Sequence, residues 1–143
     1  PVKPERMLEE VGSWMEVNGE AVYGSKAWTT YGEGQLDKDG HLRKLPGHAL
    51  GKHHAEFPFT AQDIRFTVGK NGNLYAFCMK SPEANQTITI KTMGKSAGNI
   101  AKIKKVSLLG YDGKLKWRQT ADALEITAPA TIPFATCVVF RVE

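Results

Sequence analysis

Several side chains in this sequence are of types that do chemistry. Glu20, between Asn18 and Tyr23, is a carboxylate that could pass a proton to or from a substrate. His48, His53 and His54, with Glu56 close behind, are metal-ligand types gathered in one stretch. Trp28, Tyr31 and Trp117 offer flat apolar faces that could stack on a pyranose ring. Each group also has a plainer reading. Zinc sites pair two ligands at a short defined spacing with two more of matching geometry, and His48-x-x-x-x-His53-His54 fits no such pattern. A solvated histidine-rich loop is the better expectation, so no metal and no cofactor are assigned. Trp117 lies between Lys116 and Arg118 and alternates inward as a packing residue. Asp63 and Arg65 share one face of an extended segment and could pair there, where a surface ion pair contributes little.

Cys78 and Cys137 have no CxxC or other ligand-like spacing. Both fall in apolar runs, Tyr75-Ala76-Phe77-Cys78-Met79 and Thr136-Cys137-Val138-Val139-Phe140. Two small buried hydrophobes are a better reading than a disulfide.

The elements that must position these residues are mostly strands. Met7, Leu8, Val11, Trp14 and Met15 recur at helical spacing from Pro4 to about Glu16, and Asn18-Gly19 is a good stop. The spacing predicts one short amphipathic helix, and the rest of the chain offers little helical pattern to cover its apolar face. After Gly19 the period shifts towards two. Ala21-Val22-Tyr23 and Ala27-Trp28 read as extended, and 32–58 reads as a long loop rich in glycine, proline and histidine.

From Asp63 onward alternation is clear in Ile64–Val68, Leu74–Met79, Thr87–Lys91, Val106–Leu109, Leu115–Trp117, Leu124–Thr127 and Cys137–Val142. Asn71-Gly72 suits the centre of a type I′ hairpin, and Asp112-Gly113 suggests another tight turn. About seven or eight short strands joined by turns predict a mainly β fold, an antiparallel β-sandwich, preceded by one helix.

With 143 residues, 41% apolar and 24% charged, the chain has the composition of an ordinary globular domain. No apolar run approaches the ~20 residues that span a bilayer, so no membrane span is expected. The formal charge of +4 comes from 19 basic and 15 acidic residues scattered along the chain. A nucleic-acid footprint needs clustering on one face, so no nucleic-acid partner is expected.

One stretch is far more specific than any periodicity. Gly12-Ser13-Trp14-Met15-Glu16-Val17-Asn18-Gly19-Glu20-Ala21-Val22-Tyr23-Gly24-Ser25-Lys26-Ala27-Trp28 resembles the segment that closes the catalytic barrel in α-L-fucosidases of glycoside hydrolase family 29. The usual pattern there is Gly-x-Trp-x-x-x-Asn-Gly-Glu-Ala-Ile-Tyr-Gly-Thr-x-x-Trp, and this chain departs from it only conservatively. Phe59–Thr67 with Leu74-Tyr75-Ala76 is similar to the first hairpin of that family's C-terminal domain. Leu108-Leu109-Gly110, Leu115-Lys116-Trp117 and Val139–Val142 are similar to its end.

The resemblance implies a chain that begins inside a larger protein. Residues 1–28 would be the last helix of a TIM barrel and a linker, and 29–143 a β-sandwich with the long loop at 32–58. Family members hydrolyse α-L-fucosyl linkages with retention, using a nucleophilic aspartate and an acid/base that both lie upstream of this segment. No residue here matches either, so no catalytic residue is assigned. A helix after the last barrel strand runs away from the sugar, which makes Glu20 a structural carboxylate that accepts turn amides or pairs with Arg or Lys. The structural motif is then Trp14, Asn18, Gly19, Glu20, Tyr23 and Trp28, with Trp28 pinning barrel to sandwich.

The implied role is a non-catalytic accessory region that braces the barrel and shapes access to it. Its implied partners are that barrel and, through it, a fucosylated glycan, in a periplasmic or secreted setting. A free-standing carbohydrate-binding module and an oligomerisation domain remain open alternatives.

Overall fold

Inward and outward alternation along the strands closes two sheets over a single apolar layer. The computed structural model describes residues 12–35, 42 and 59–143. A short helix α1 (residues 12–18) runs into a 3-10 turn at Gly19–Ala21. Eight strands follow: β1 (Lys26–Glu33), β2 (Ile64–Val68), β3 (Leu74–Cys78), β4 (Thr87–Ile90), β5 (Val106–Leu108), β6 (Lys116–Gln119), β7 (Leu124–Thr127) and β8 (Val138–Val142). One sheet has the order β1-β2-β3-β8-β5 and the other β4-β7-β6, with every pairing antiparallel. The expected mainly β fold, an antiparallel sandwich preceded by one helix, is what forms.

The two sheets differ in how their outer faces are used. In the three-stranded sheet, Ile88, Ile90, Leu124 and Ile126 point inward and are fully buried. Their neighbours Thr89, Glu125 and Thr127 are only half-buried, and Arg118 pairs with Glu125 at 2.6 Å on that outer face. That is the apolar-in, polar-out pattern of a sheet with one wet face. The five-stranded sheet presents Ile64, Phe66, Ala76, Cys78, Val138, Phe140 and Val142 to the same core. Its outward residues Tyr75 and Val139 are fully buried too, in a second cluster with Ala21 and Leu109. The continuous apolar runs of β3 and β8 are therefore the mark of strands covered on both faces.

Two turns differ from expectation in type or place. In the 69–73 hairpin, Gly72 N donates to Gly69 O at 2.9 Å and Gly69 N to Asn73 O at 2.8 Å. Gly72 alone takes a positive φ, +88°, whereas a type I′ turn needs it at both central residues. The loop is a three-residue type I turn with a left-handed glycine. The side chain of Asn71 explains this: its Oδ1 accepts Asn73 N at 2.9 Å and its Nδ2 donates to Tyr75 Oη at 3.0 Å. After β5 the tight turn is at Leu109-Gly110, where Tyr111 N donates to Leu108 O at 3.1 Å and Gly110 has φ +89°. Asp112-Gly113 lies just beyond it.

β1 runs through residue 28 to Glu33, taking in Trp28 and the first residues of the stretch read as a loop. Its register slips between Ala27 and Gly32. The rest of that stretch, including His48, His53, His54 and Glu56, lies outside the described residues, as do Met7, Leu8 and Val11. Cys78 is buried and Cys137 half-buried, and both are free thiols. Burial pushes the Cys78 thiol up, with Cys137 adding a smaller push, and burial raises that of Cys137 to about 11. Neither is a nucleophile at neutral pH.

Candidate functional site

The outer face of the five-stranded sheet holds the motif segment. Trp14, on α1, lays its ring 6.4 Å from that of Phe77, and its Nε1 donates to Cys137 O at 3.0 Å. Apolar cover for the helix thus exists within the sandwich itself, on the face that β3 and β8 leave apolar. Asn18, fully buried at the end of α1, donates from Nδ2 to Trp14 O at 3.0 Å, which satisfies a carbonyl the helix leaves unpaired. Its Oδ1 has no donor among the described residues. Gly19 gives the ring of Tyr23 room to lie over it: a Cβ there would stand 2.8 Å from that ring. Thr67 Oγ1 then donates to Ala21 O at 2.9 Å, tying the turn to β2.

Glu20 closes the arrangement. Its Oε2 accepts Tyr75 Oη at 2.5 Å and Arg141 Nη1 at 3.0 Å. Burial, then the bond from Tyr75 to Glu20, raises the phenol above its ordinary value of 10.0. For Arg141 burial works to lower the pKa, but Glu20 and then Glu143 more than offset it and hold it raised. Glu20 is therefore a paired carboxylate, as the Arg-or-Lys reading expects. Its side chain is 36% exposed, so water screens the pair and its net contribution stays within about 1 kcal/mol. A retaining glycosidase needs two carboxyl groups about 5 Å apart around the bond it cuts. What faces Glu20 here is a phenol and a guanidinium.

The other candidates separate. Trp28 turns inward and meets Phe66 edge-on, with ring centroids 5.1 Å apart. Trp117 packs against the inter-sheet core. Tyr31 stays on the outer side, 56% exposed, under the guanidinium of Arg65 at 5.5 Å. Trp28, Tyr31 and Trp117 thus do not form one platform. Asp63 and Arg65 are both buried, contrary to the surface pairing expected of them. Asp63 accepts Gln35 N and Nε2 at 2.7 Å each, Thr60 N at 2.7 Å and Thr60 Oγ1 at 3.2 Å. Burial would raise its pKa, but these bonds outweigh that and hold it below 3.8. The carboxylate thus joins Gln35, just after β1, to Thr60, just before β2.

Tyr75, Arg141, Gln35 and Thr60 are the residues that sequence reasoning missed. Tyr75 and Arg141 sat in strands read for their periodicity alone, and the pairing of Arg141 with a residue 121 positions away leaves no local signal. No group of three or more metal-ligating side chains occurs among the described residues, and no helix there is long and apolar enough to cross a membrane.

Around this network the large apolar side chains left exposed among the described residues are Val17, Val22, Tyr23 and Tyr31. All of them precede β2, in and just after the motif. The segment is thus anchored on one side by Trp14, Ala21 and Glu20 and open on the other.

The chain is 26% identical over 136 residues to tissue alpha-L-fucosidase of Rattus norvegicus, an alignment that covers 93% of this chain and 22% of that protein. The chain therefore spans about a fifth of the length of the curated relative it matches. Residues 58–143 match the sequence profile of the alpha-L-fucosidase C-terminal domain, which takes in β2 to β8 and more than half of the chain. The chain belongs to the family of alpha-L-fucosidase C-terminal domains.

Proposed function

We propose that this chain is the non-catalytic accessory region of a larger α-L-fucosidase, which hydrolyses α-L-fucosyl linkages in glycans with retention. Residues 12–18 are the end of the last barrel helix, and the sandwich braces the barrel through that helix and borders access to the sugar. The observation that carries this reading is the two-sided motif. Trp14, Ala21 and Glu20 are fastened to the sandwich, while Val22 and Tyr23 are left exposed. Leaving apolar side chains in water forgoes roughly 1.5–3 kcal/mol for each one fully buried, so such a patch favours a partner. A catalytic barrel continuous with α1 is the nearest one.

The test is made in the longer protein and in the chain side by side. Val22→Asp with Tyr23→Ser should lower the melting temperature and activity of the longer enzyme and leave the melting of the chain alone nearly unchanged. Equal loss in both would mean that these side chains serve the sandwich only and that the brace lies elsewhere. The chain alone should not turn over an aryl α-L-fucoside. Turnover that vanishes on Glu20→Gln would overturn the non-catalytic reading.

A further inference from the structure

On the side of the sandwich where β5 and β6 are edge strands, a cleft of about 560 Å³ opens between them. That volume lies within the range of small-ligand sites. Its walls combine two kinds of group. Tyr111 and Trp117, both half-buried, supply aromatic surface. Lys104, Lys105 and Lys114, all exposed, supply positive charge against the single carboxylate of Asp112. None of these lysines has an ion-pair partner among the described residues. Arg141 also lines the cleft, but its charge is already taken up by Glu20 and Glu143.

Tyr111 is held in place by the loop itself. A Cβ on Gly113 would stand 2.5 Å from the tyrosine Oη, so the ring needs a glycine there to lie as it does. The edge strand β5 is only three residues long, a poor template for an added peptide strand. Aromatic surface with unpaired ammonium groups suits a ring-shaped ligand that carries negative charge.

We propose that this cleft binds an acidic saccharide, a chain of pyranose rings bearing carboxylate or sulfate groups, with a ring against Tyr111 and Trp117 and the acidic groups on Lys104, Lys105 and Lys114. This rests on the cleft alone and would hold whether or not the sandwich braces a barrel.

The experiment titrates the full chain, followed by backbone amide NMR, with an oligogalacturonate, a sulfated heparin-derived oligosaccharide, a neutral oligosaccharide of equal length, and inorganic sulfate. Either acidic oligosaccharide should shift the amides of 104–117 and bind more weakly as salt is raised, and which of the two binds tighter separates carboxylate from sulfate recognition. The neutral chain should bind at least about tenfold more weakly, as loss of charge-assisted hydrogen bonds implies. Lys105→Ala with Lys114→Ala should cut affinity by a similar factor, and Gly113→Ala should weaken binding while leaving the melting temperature close to the parent's. Lys26→Ala with Lys91→Ala, far from the cleft in sequence, should change nothing. Equal affinity for inorganic sulfate, shifts elsewhere on the surface, equal loss in the Lys26 and Lys91 control, or no binding to either acidic chain would each overturn the proposal.

Discussion

The two faces of the five-stranded sheet are held by different physics. Between the sheets, Ile64, Phe66, Ile88, Ile126, Val138 and Phe140 are buried without a polar partner among them, and the layer depends on area removed from water. On the outer face the apolar contact is small, Tyr75, Val139, Ala21 and Leu109 with Trp14 and Phe77 packed on it, and it is stitched by directional bonds. Those bonds run from Trp14 to Cys137 O, from Thr67 to Ala21 O, and from Tyr75 and Arg141 to Glu20. A non-directional core makes a fold. A bonded patch adds a fixed position, which a segment that must present Val22 and Tyr23 to a partner requires.

The sharpest way to break the contrast is in β8, where neighbouring residues face opposite ways. Phe140→Ala should destabilise the chain by about 3–5 kcal/mol, measured by urea denaturation, because it empties the layer between the sheets. Asp63→Asn should come next, at about 1.5–3 kcal/mol, since an amide has one acceptor oxygen and cannot accept Gln35 N at one position as well as Thr60 N and Gln35 Nε2 at the other. Its signature is in pH. The folded pKa of Asp63 is depressed, so its contribution is full above the ordinary value of 3.8 and is lost as pH falls through the lower folded value. The parent should lose that stability on acidification below about 3.8, and Asp63→Asn should lack this part of the slope. An unchanged acid limb would mean that joining Gln35 to Thr60 is not what the carboxylate does.

On the outer face, Trp14→Phe keeps a ring but removes the bond to Cys137 O, and Tyr75→Phe removes the bond to Glu20. Each should cost about 1 kcal/mol, and hydrogen exchange at residues 14–21 should rise before that of β8 does. If exchange rises equally in both, the faces do not melt separately. The smallest effect is expected at the thiols. Cys78→Ala with Cys137→Ala should melt only slightly below the parent, and reductant should move neither protein. A reductant-dependent drop in the parent would reveal a cross-link.

Much of the sandwich was legible because it obeys a period of two. Thr87-Ile88-Thr89-Ile90 and Leu124-Glu125-Ile126-Thr127 show which face is inward before any coordinates exist, and both strands form where alternation puts them. The hairpin at Asn71-Gly72 was legible in place but not in type. A side-chain bond from Asn71 to Tyr75, beyond the turn itself, selects the conformer with one left-handed residue. β1 was only half legible, since Thr29, Thr30 and Gly32 carry little apolar signal and its pairing with β2 supplies the order.

By itself the sequence determined most of the strand set, its inward faces and the motif at 12–28, because these depend on residue type and short spacing. Only the tertiary structure decided what the motif touches. Glu20 and Arg141 are 121 residues apart, Trp14 and Cys137 123, and Gln35 and Asp63 28. Contacts over such separations are set by which strands become neighbours, and strand order is chosen by the burial of the whole chain rather than by any segment of it.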